Sequence, residues 1–233
     1  MSFALDKVVP WGRSYDEYVA MFALTDADLK SRILGCGDGP AGFNSELTKR
    51  GGNVTSIDPI YSFDTRQIKN RIVETYETVM TQMRENKRDY VWEVIPSIEQ
   101  LGQLRMSAIE TFLADFDAGK QEGRYIPGAL PSLPFDVKKF DLALSSHFLF
   151  LYSTHLSADF HLQAILDMLR VSHEVRVFPL LALNGVLSPH IQFLSESLAD
   201  HGFTTVIKQV AYEFQRGGNE MFIIKPTAPL LLP

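Results

Sequence analysis

The apolar positions of the chain follow two periods, and the places where one gives way to the other mark the elements. Tyr18, Met21 and Phe22 recur at spacing three to four behind Ser14 and Glu17, a capping-box pair, and Thr25 with Asp28 repeats the signal in weaker form. Residues 1–30 are therefore expected to be an N-terminal helical segment that packs its apolar face on the main body. Ser31 to Leu34 predicts a short strand that runs into the turn Gly35-Cys36-Gly37-Asp38-Gly39-Pro40, with Pro40 suited to the first turn of a helix. Phe43, Leu47 and the stop at Gly51-Gly52 predict a helix of about three turns. A second strand follows at Val54, Ser56 and Ile57, ending at Asp58-Pro59, which completes a β-α-β unit.

From Asp64 to Tyr90 the positions Ile68, Ile72, Val73, Tyr76, Val79, Met80 and Met83 predict a long amphipathic helix. Ser97 with Gln100 reads as another capping box, opening a second helix through Leu101, Leu104, Ile109, Phe112 and Phe116 to about Gly119. The next strand starts at Arg124, so the crossover holds about 60 residues, well beyond the 10–20 of an ordinary crossover, and residues 64–120 are expected to be a helical insertion. Phe140 to Ser146 is a continuous apolar run, the mark of a parallel strand covered on both faces. Asp159–Val171 reads as a helix and Glu174–Leu181 as a strand. Ser188-Pro189 is expected to cap a helix that stops at Gly202. Val206–Phe214 and Met221–Lys225 flank Arg216-Gly217-Gly218-Asn219, a hairpin signal that would end the sheet in an antiparallel pair.

Composition narrows the class. Of 233 residues 45% are apolar and 21% charged, as in an ordinary globular chain, and the expectation is a single domain over residues 1–233 with the insertion as its surplus. One cysteine makes no internal disulfide, and Met1 to Lys7 shows no basic leader with an apolar core, so a cytoplasmic location is expected. No apolar run nears the ~20 residues of a membrane helix. A net charge of −6 with scattered Lys and Arg offers no basic stripe, so neither nucleic acid nor membrane is an expected partner. The tail from Pro226 is rich in Pro and Leu. No H-E-x-x-H, G-x-S-x-G or Walker sequence occurs, and His155, Asp159 and His161 match no ligand spacing, so no metal is expected.

In an open α/β sheet, ligands bind at the carboxyl ends of the strands, and the first strand's glycine turn is the usual cradle. Gly35, Gly37 and Gly39 clear the backbone for a ligand, and Asp58 stands about 20 residues on, where an acid can bond two ribose hydroxyls. Ile33-Leu34-Gly35-Cys36-Gly37-Asp38-Gly39, Asp58, and the stretch Gly128 to Phe135 followed by Phe140 to His147 resemble the motifs of the class I S-adenosylmethionine-dependent methyltransferases. The resemblance runs from about Ile33 to Lys225. It implies a Rossmann-like, mostly parallel seven-stranded sheet with an antiparallel C-terminal hairpin strand, helices on both faces, and S-adenosyl-L-methionine as cofactor. It assigns Gly35, Cys36, Gly37, Asp38 and Gly39 to the methionine end, Asp58 and Pro59 to the ribose, Ala129 and Leu130 to the adenine, and Ser145 and Ser146 to the rim after the fourth strand.

Leu34 and Ala129 stand where many members carry acids, so contacts there are expected to rest on backbone. The segment Pro10 to Tyr18 is not a general signature of the family and is attached to a poorly described bacterial-type branch, with Arg13 and Tyr15 as lid contacts to the cofactor's carboxylate. His147 follows the fourth strand and is the candidate general base, against the bland reading of a structural histidine. Cys36 reads as a small buried residue, and Met80, Met83 and Met106 as core that can also line an adaptable pocket. Ser145-Ser146-His147-Phe148 replaces the N/D-P-P-Y/F stretch of the amino-methylating DNA and protein-glutamine branches. A small-molecule or protein acceptor is the expected partner, with the insertion either covering it or joining two copies as a homodimer. Two other readings stand beside this one: a non-catalytic binding protein on the same scaffold, and an NAD-binding oxidoreductase, since Gly37-x-Gly39-x-x-Gly42 satisfies G-x-G-x-x-G.

Overall fold

In the computed structural model, which describes residues 10–227, the strands are β1 (Arg32–Cys36), β2 (Asn53–Asp58), β3 (Tyr125–Pro127), β4 (Phe140–Ser146), β5 (Ser172–Phe178), β6 (Phe203–Gln209) and β7 (Glu220–Pro226). The Met1 to Lys7 start and the Pro- and Leu-rich tail beyond Thr227 lie outside the described residues. The strands form one sheet in the order β3-β2-β1-β4-β5-β7-β6. Pairing from β3 through β5 is parallel, and β7 runs antiparallel to both β5 and β6. The expected Rossmann-like, mostly parallel seven-stranded sheet with its antiparallel C-terminal strand is therefore the architecture. Alternate side chains leave the strands on opposite faces: Ile33, Leu142 and Leu144 join one core, while Leu34 and Ala143 join the other, so both faces are covered.

Seven helices supply the cover among the described residues: α1 (Tyr15–Met21), α2 (Asp26–Leu29), α3 (Phe43–Lys49), α4 (Thr65–Glu85), α5 (Ile98–Gln121), α6 (Ala158–Val171) and α7 (Ile191–Asp200). The predicted boxes at Ser14/Glu17 and Thr25/Asp28 are formed in both directions. Asp64 and Gln67 make a further one at the start of α4. α4 buries Ile68, Ile72, Thr75, Val79 and Met83 at helical spacing. Near β3, Tyr61, Phe112, Phe116 and Tyr125 pack ring against ring, and a methyl added at Gly119 would meet the Tyr125 ring at 2.5 Å, so α5 sits tightly on the sheet edge.

Four expectations are corrected. α3 spans 7 residues, two turns rather than three. β5 ends at Phe178 rather than Leu181, because Pro179 has no N–H to continue the ladder. The helix after Ser188-Pro189 begins at Ile191 with His190 as N-cap. The Ser188 hydroxyl lies 2.7 Å from that of Ser153 and also accepts from the His190 N–H, which keeps it off the helix end. β6 covers Phe203–Gln209 and the chain then leaves the sheet until Glu220, so the β6–β7 connection is a long loop rather than a tight hairpin. The loop pairs with the insertion instead: Val91 N–H donates to the Phe214 carbonyl at 2.8 Å and Arg216 N–H to that of Asp89 at 2.8 Å.

Candidate functional site

β1 lies between β2 and β4, the point where the strand order reverses, and the turn after it opens at the carboxyl edge of the sheet. Its three glycines answer to three different constraints. A methyl at Gly35 would overlap the Asp38 carboxylate, which folds back beneath the turn. Gly37, at φ +70°, faces the Phe148 ring, which a methyl there would meet at 3.1 Å. Gly39, at φ +53°, has nothing within 4 Å of such a methyl, so its backbone opens on free space.

The two acids of the unit are held differently. Asp38 accepts from the Tyr18 hydroxyl at 2.9 Å and from the Ser56 hydroxyl at 2.7 Å, and Ser56 accepts in turn from Asn44, whose amide is bonded to Arg124. Asp58 accepts from the backbone N–H of Gly39 and of Ile60, both at 2.9 Å, so it locks the glycine turn and also caps the 3₁₀ turn Pro59–Ser62. Burial pushes both carboxyls up to about 6, against their hydrogen bonds. Each remains ionised at neutral pH. A carboxylate has about four lone-pair directions, so Asp58 keeps acceptor capacity beyond its two backbone partners.

The N-terminal segment is tied across this edge by a buried charge cluster. Arg105 of α5, fully buried, reaches both oxygens of Glu17 at 2.6 Å, and the Tyr212 hydroxyl donates to the same carboxylate at 2.9 Å. Burial raises the Glu17 carboxyl, but Arg105 and Arg13 outweigh it and hold the group at about 2. Arg13 brings a second positive charge to this unit. Its Nε is buried without a hydrogen-bond partner, as are Nε and Nη2 of Arg105. Two cations against one carboxylate leave a buried positive excess that favours an anion.

The glycine turn, both acids, Tyr18 and Arg13 line a cavity of about 610 Å³, a size usual for small-molecule sites. Of the expected cofactor residues, Gly37, Asp38, Gly39, Asp58, Pro59, Ala129, Leu130 and Ser146 are on its wall, together with the candidate base His147 and Arg13. Gly35, Cys36 and Ser145 lie behind the wall. Cys36 and Ser145 are fully buried within the sheet, and burial pushes the Cys36 thiol well up, which fits its reading as an inert core residue. Tyr15 is turned away as well, stacked on Phe43 at 5.8 Å with the Arg50 guanidinium 4.3 Å above its ring, so it is no lid contact.

The rest of the wall escaped the sequence reading. Trp11, Val79, Met83, Tyr90, Leu183 and Phe214 close the end opposite the glycine turn. Of these only Met83 carried a signal, as a flexible side chain on an otherwise amphipathic helix. Tyr18 reads as core and Glu17 as a cap, although both bond into the site. Arg105 had a usable signal: it stands four residues after Leu101 and four before Ile109, a cation in the middle of an apolar stripe.

Ser146 and His147 end β4 beside this turn. His147 has a positive φ of 52°, uncommon for a residue with a side chain, and is held there by its N–H donating to the Phe178 carbonyl at 2.7 Å. Its Nδ1 lies 2.8 Å from the Ser146 hydroxyl. Burial, then Arg13 and Arg105, pushes the imidazole well below its usual range, so the ring is neutral at pH 7. Among the described residues no group of three acids, histidines or cysteines is placed to hold a metal, and no helix is long and apolar enough to cross a membrane.

No family model matches the sequence. Solved structures that resemble the fold include magnesium protoporphyrin IX methyltransferase from Synechocystis PCC 6803 with bound SAM, at TM-score 0.47 and 12% identity over 92% of this chain and 78% of that one. Another is 1,6-didemethyltoxoflavin-N1-methyltransferase from Burkholderia thailandensis, at TM-score 0.45 and 12% identity over 91% and 77%. A curated relative is much closer in sequence: the archaeal uncharacterized protein MJ0045 of Methanocaldococcus jannaschii is 32% identical over 222 residues, 95% of this chain and 97% of the relative. At that identity over nearly the full length of both, the chain belongs to the family of protein MJ0045.

Proposed function

We propose that the protein is an S-adenosylmethionine-dependent methyltransferase acting on a small molecule. The observation that carries this reading is that the Gly37–Gly39 turn, Asp58, Gly128–Leu130 and Ser146–His147, far apart in sequence, wall one cavity at the switch point of the sheet. The residues fit the cofactor on three counts. Gly39 leaves open space at the turn, Asp58 keeps free acceptor directions for ribose hydroxyls, and the Arg13 side chain on the cavity wall brings a positive charge that suits the amino-acid carboxylate. Ala129 and Leu130 would flank the adenine. When bound, the cofactor supplies a methyl already activated on a sulfonium. The chain's own work is then to align the acceptor at about 3 Å and to exclude water. The insertion does the excluding, through Val79, Met83 and Tyr90, and a cavity closed in this way suits a small acceptor better than a protein side chain.

Isothermal calorimetry with S-adenosylmethionine and S-adenosylhomocysteine tests the reading. Binding by the wild type and a loss of about tenfold or more in Asp58→Ala is expected, since charge-assisted hydrogen bonds contribute roughly 1.5–3 kcal/mol. Absence of binding by the wild type overturns it.

A further inference from the structure

Where the insertion pairs with the β6–β7 loop, an open basin gathers Arg84, Lys87 and Arg88 from the first segment and Arg216 from the second. Arg88 and Arg216 stand 128 positions apart in the chain. They meet because Arg216 donates through Nε to the Arg88 carbonyl at 3.5 Å and through Nη2 to that of Tyr90 at 3.3 Å. All four cations are exposed. Two acids, Glu85 and Asp89, share the basin, yet none of the four cations makes an ion pair among the described residues. The fields of Arg84 and Lys87 reach Glu99, at the start of α5, without contact.

Part of this cluster has a local explanation. Arg84 is in the last turn of α4, where a cation offsets the negative end of the helix. Lys87 lies over the Trp92 ring at 5.9 Å, a packing contact. Neither reason covers Arg88 or Arg216. Like charges drawn together from separate segments repel, and the repulsion is relieved only by an anion between them. A chain with a net charge of −6 has no shortage of carboxylates to place there, and at this seam it pairs none with the arginines.

We propose that this basin binds the phosphate group of a small molecule, gripped by Arg88 and Arg216 across the seam, with Arg84 and Lys87 adding charge. Phosphate is the class that fits. Cations come to the basin from two segments, and a tetrahedral dianion offers oxygens in several directions, whereas one guanidinium fork satisfies a carboxylate. A polynucleotide fits less well, because Glu85 and Asp89 break the basic surface into a patch rather than a stripe that could track a backbone.

The site borders the aromatic end of the main cavity. Tyr90 is on the wall of both, with its carbonyl held by Arg216 and its ring stacked on Phe214 at 4.9 Å. A phosphate bound across the seam therefore tightens the clasp in which Val91 N–H meets the Phe214 carbonyl and Arg216 N–H that of Asp89. Two sources supply such a group, a tail on the acceptor itself and a separate phosphorylated compound, and the same contacts hold either. The site stands on these groups alone, whether or not the main cavity takes S-adenosylmethionine.

Pyrophosphate is the probe, titrated by calorimetry at low salt. Wild type should bind it, and so should Lys208→Gln, which removes an exposed cation on the edge strand β6. Arg88→Gln and Arg216→Gln should each weaken binding about three- to fivefold, and the double variant more. The Arg88 guanidinium makes no hydrogen bond among the described residues, so Arg88→Gln keeps the fold even if Arg216→Gln loosens the loop. Pyrophosphate should also slow amide hydrogen exchange at Val91 and Arg216 in the wild type and not in the double variant, a response that diffuse charge attraction does not give. Binding of 1-naphthyl phosphate about tenfold tighter than inorganic phosphate, with the gain lost in Phe214→Ala, marks the acceptor as the source. Equal affinity of the two marks a separate compound, and either result upholds the site. Absence of pyrophosphate binding by the wild type, equal binding by Arg88→Gln, unchanged exchange at the two amides, or tighter binding of a short oligoribonucleotide through the same arginines overturns it.

Discussion

The two ends of the cavity are built on opposite terms. At the turn end, Gly37, Gly39, Asp38 and Asp58 belong to one contiguous β-α-β unit, and both carboxylates are engaged, by hydroxyls at Asp38 and by backbone N–H groups at Asp58. At the other end, Trp11, Val79, Tyr90 and Phe214 come from four separate stretches and pack into one apolar cluster, with Phe214 stacked on Tyr90 at 4.9 Å and Leu183 lining the wall as well. Directional bonding fixes the first end to fractions of an ångström. The second is shaped by packing, which tolerates exchange of one apolar group for another. One end can thus keep the same ligand while the other changes acceptor.

The ends are joined at Arg105, and removing that joint should give the largest effect. Arg105→Met takes both guanidinium bonds from buried Glu17 and leaves it Tyr212, its helix cap and the charge of Arg13. A stability loss of about 3 kcal/mol or more in urea denaturation is expected, because breaking a buried hydrogen-bonded ion pair costs far more than the pair contributes. Next is Gly35→Ala, which drives a methyl into the Asp38 carboxylate and separates it from Tyr18 and Ser56. About 3 kcal/mol should be lost, as two buried hydroxyls lose their acceptor. Gly39→Ala meets no atom and should lose only the cost of its φ, about 1–2 kcal/mol. Equal losses for the two glycines would mean that backbone freedom alone, and not Asp38, requires Gly35.

At the opposite end, Phe214→Ala removes a ring that packs on both Tyr90 and Trp92 and holds the β6–β7 loop to the insertion. About 2 kcal/mol of stability should go, less than the roughly 3–5 kcal/mol of a fully enclosed ring because the site already borders a cavity. S-adenosylhomocysteine affinity should stay within about twofold. A tenfold loss would show that the ends are not separable.

The same contrast decides what could be read in advance. The β-α-β unit, the glycine turn and Asp58 at its strand end are legible because positive φ, helix capping and an acid at a strand end restrict residue type at fixed spacing. Gly35 reads as a glycine that clears space for a ligand, whereas the Asp38 carboxylate fills that space, since a glycine is silent about whether a ligand or a neighbouring side chain does so. Tyr18 and Glu17 looked like core and cap, and their second bonds, to Asp38 and Arg105, join residues 20 and 88 positions apart. Trp11, Tyr90 and Phe214 could not be grouped at all, because the β6–β7 loop that unites them reads as a short hairpin until its pairing with the insertion is seen.

The smallest predicted effect concerns Asp58, whose pH dependence should have opposite signs with and without ligand. Its carboxyl is raised from the usual carboxylate range to about 6 by burial, as is that of Asp38. Folded protein therefore binds these protons more tightly than unfolded chain, which raises stability as pH falls from about 6 toward 4, while His147 and His161, held below the usual imidazole range by burial, lower it over the same interval. The Asp58 contribution is therefore read as the difference in thermal stability between wild type and Asp58→Asn, which should move in the wild type's favour as pH falls; Glu17, held at about 2, weakens both proteins alike from about pH 5 downward and cancels. Ligand binding runs the other way. The ionised carboxylate can accept from both ribose hydroxyls while holding Gly39 and Ile60, whereas the protonated group must give up an acceptor position. S-adenosylhomocysteine affinity should accordingly be flat above pH 7 and fall by up to about tenfold per pH unit below 6, and Asp58→Asn should remove the slope. Affinity that is unchanged from pH 7 to 5 in calorimetry would remove Asp58 from the ribose and leave it only its bonds to the turn, in which case the turn end, like the aromatic end, would hold its ligand chiefly by shape.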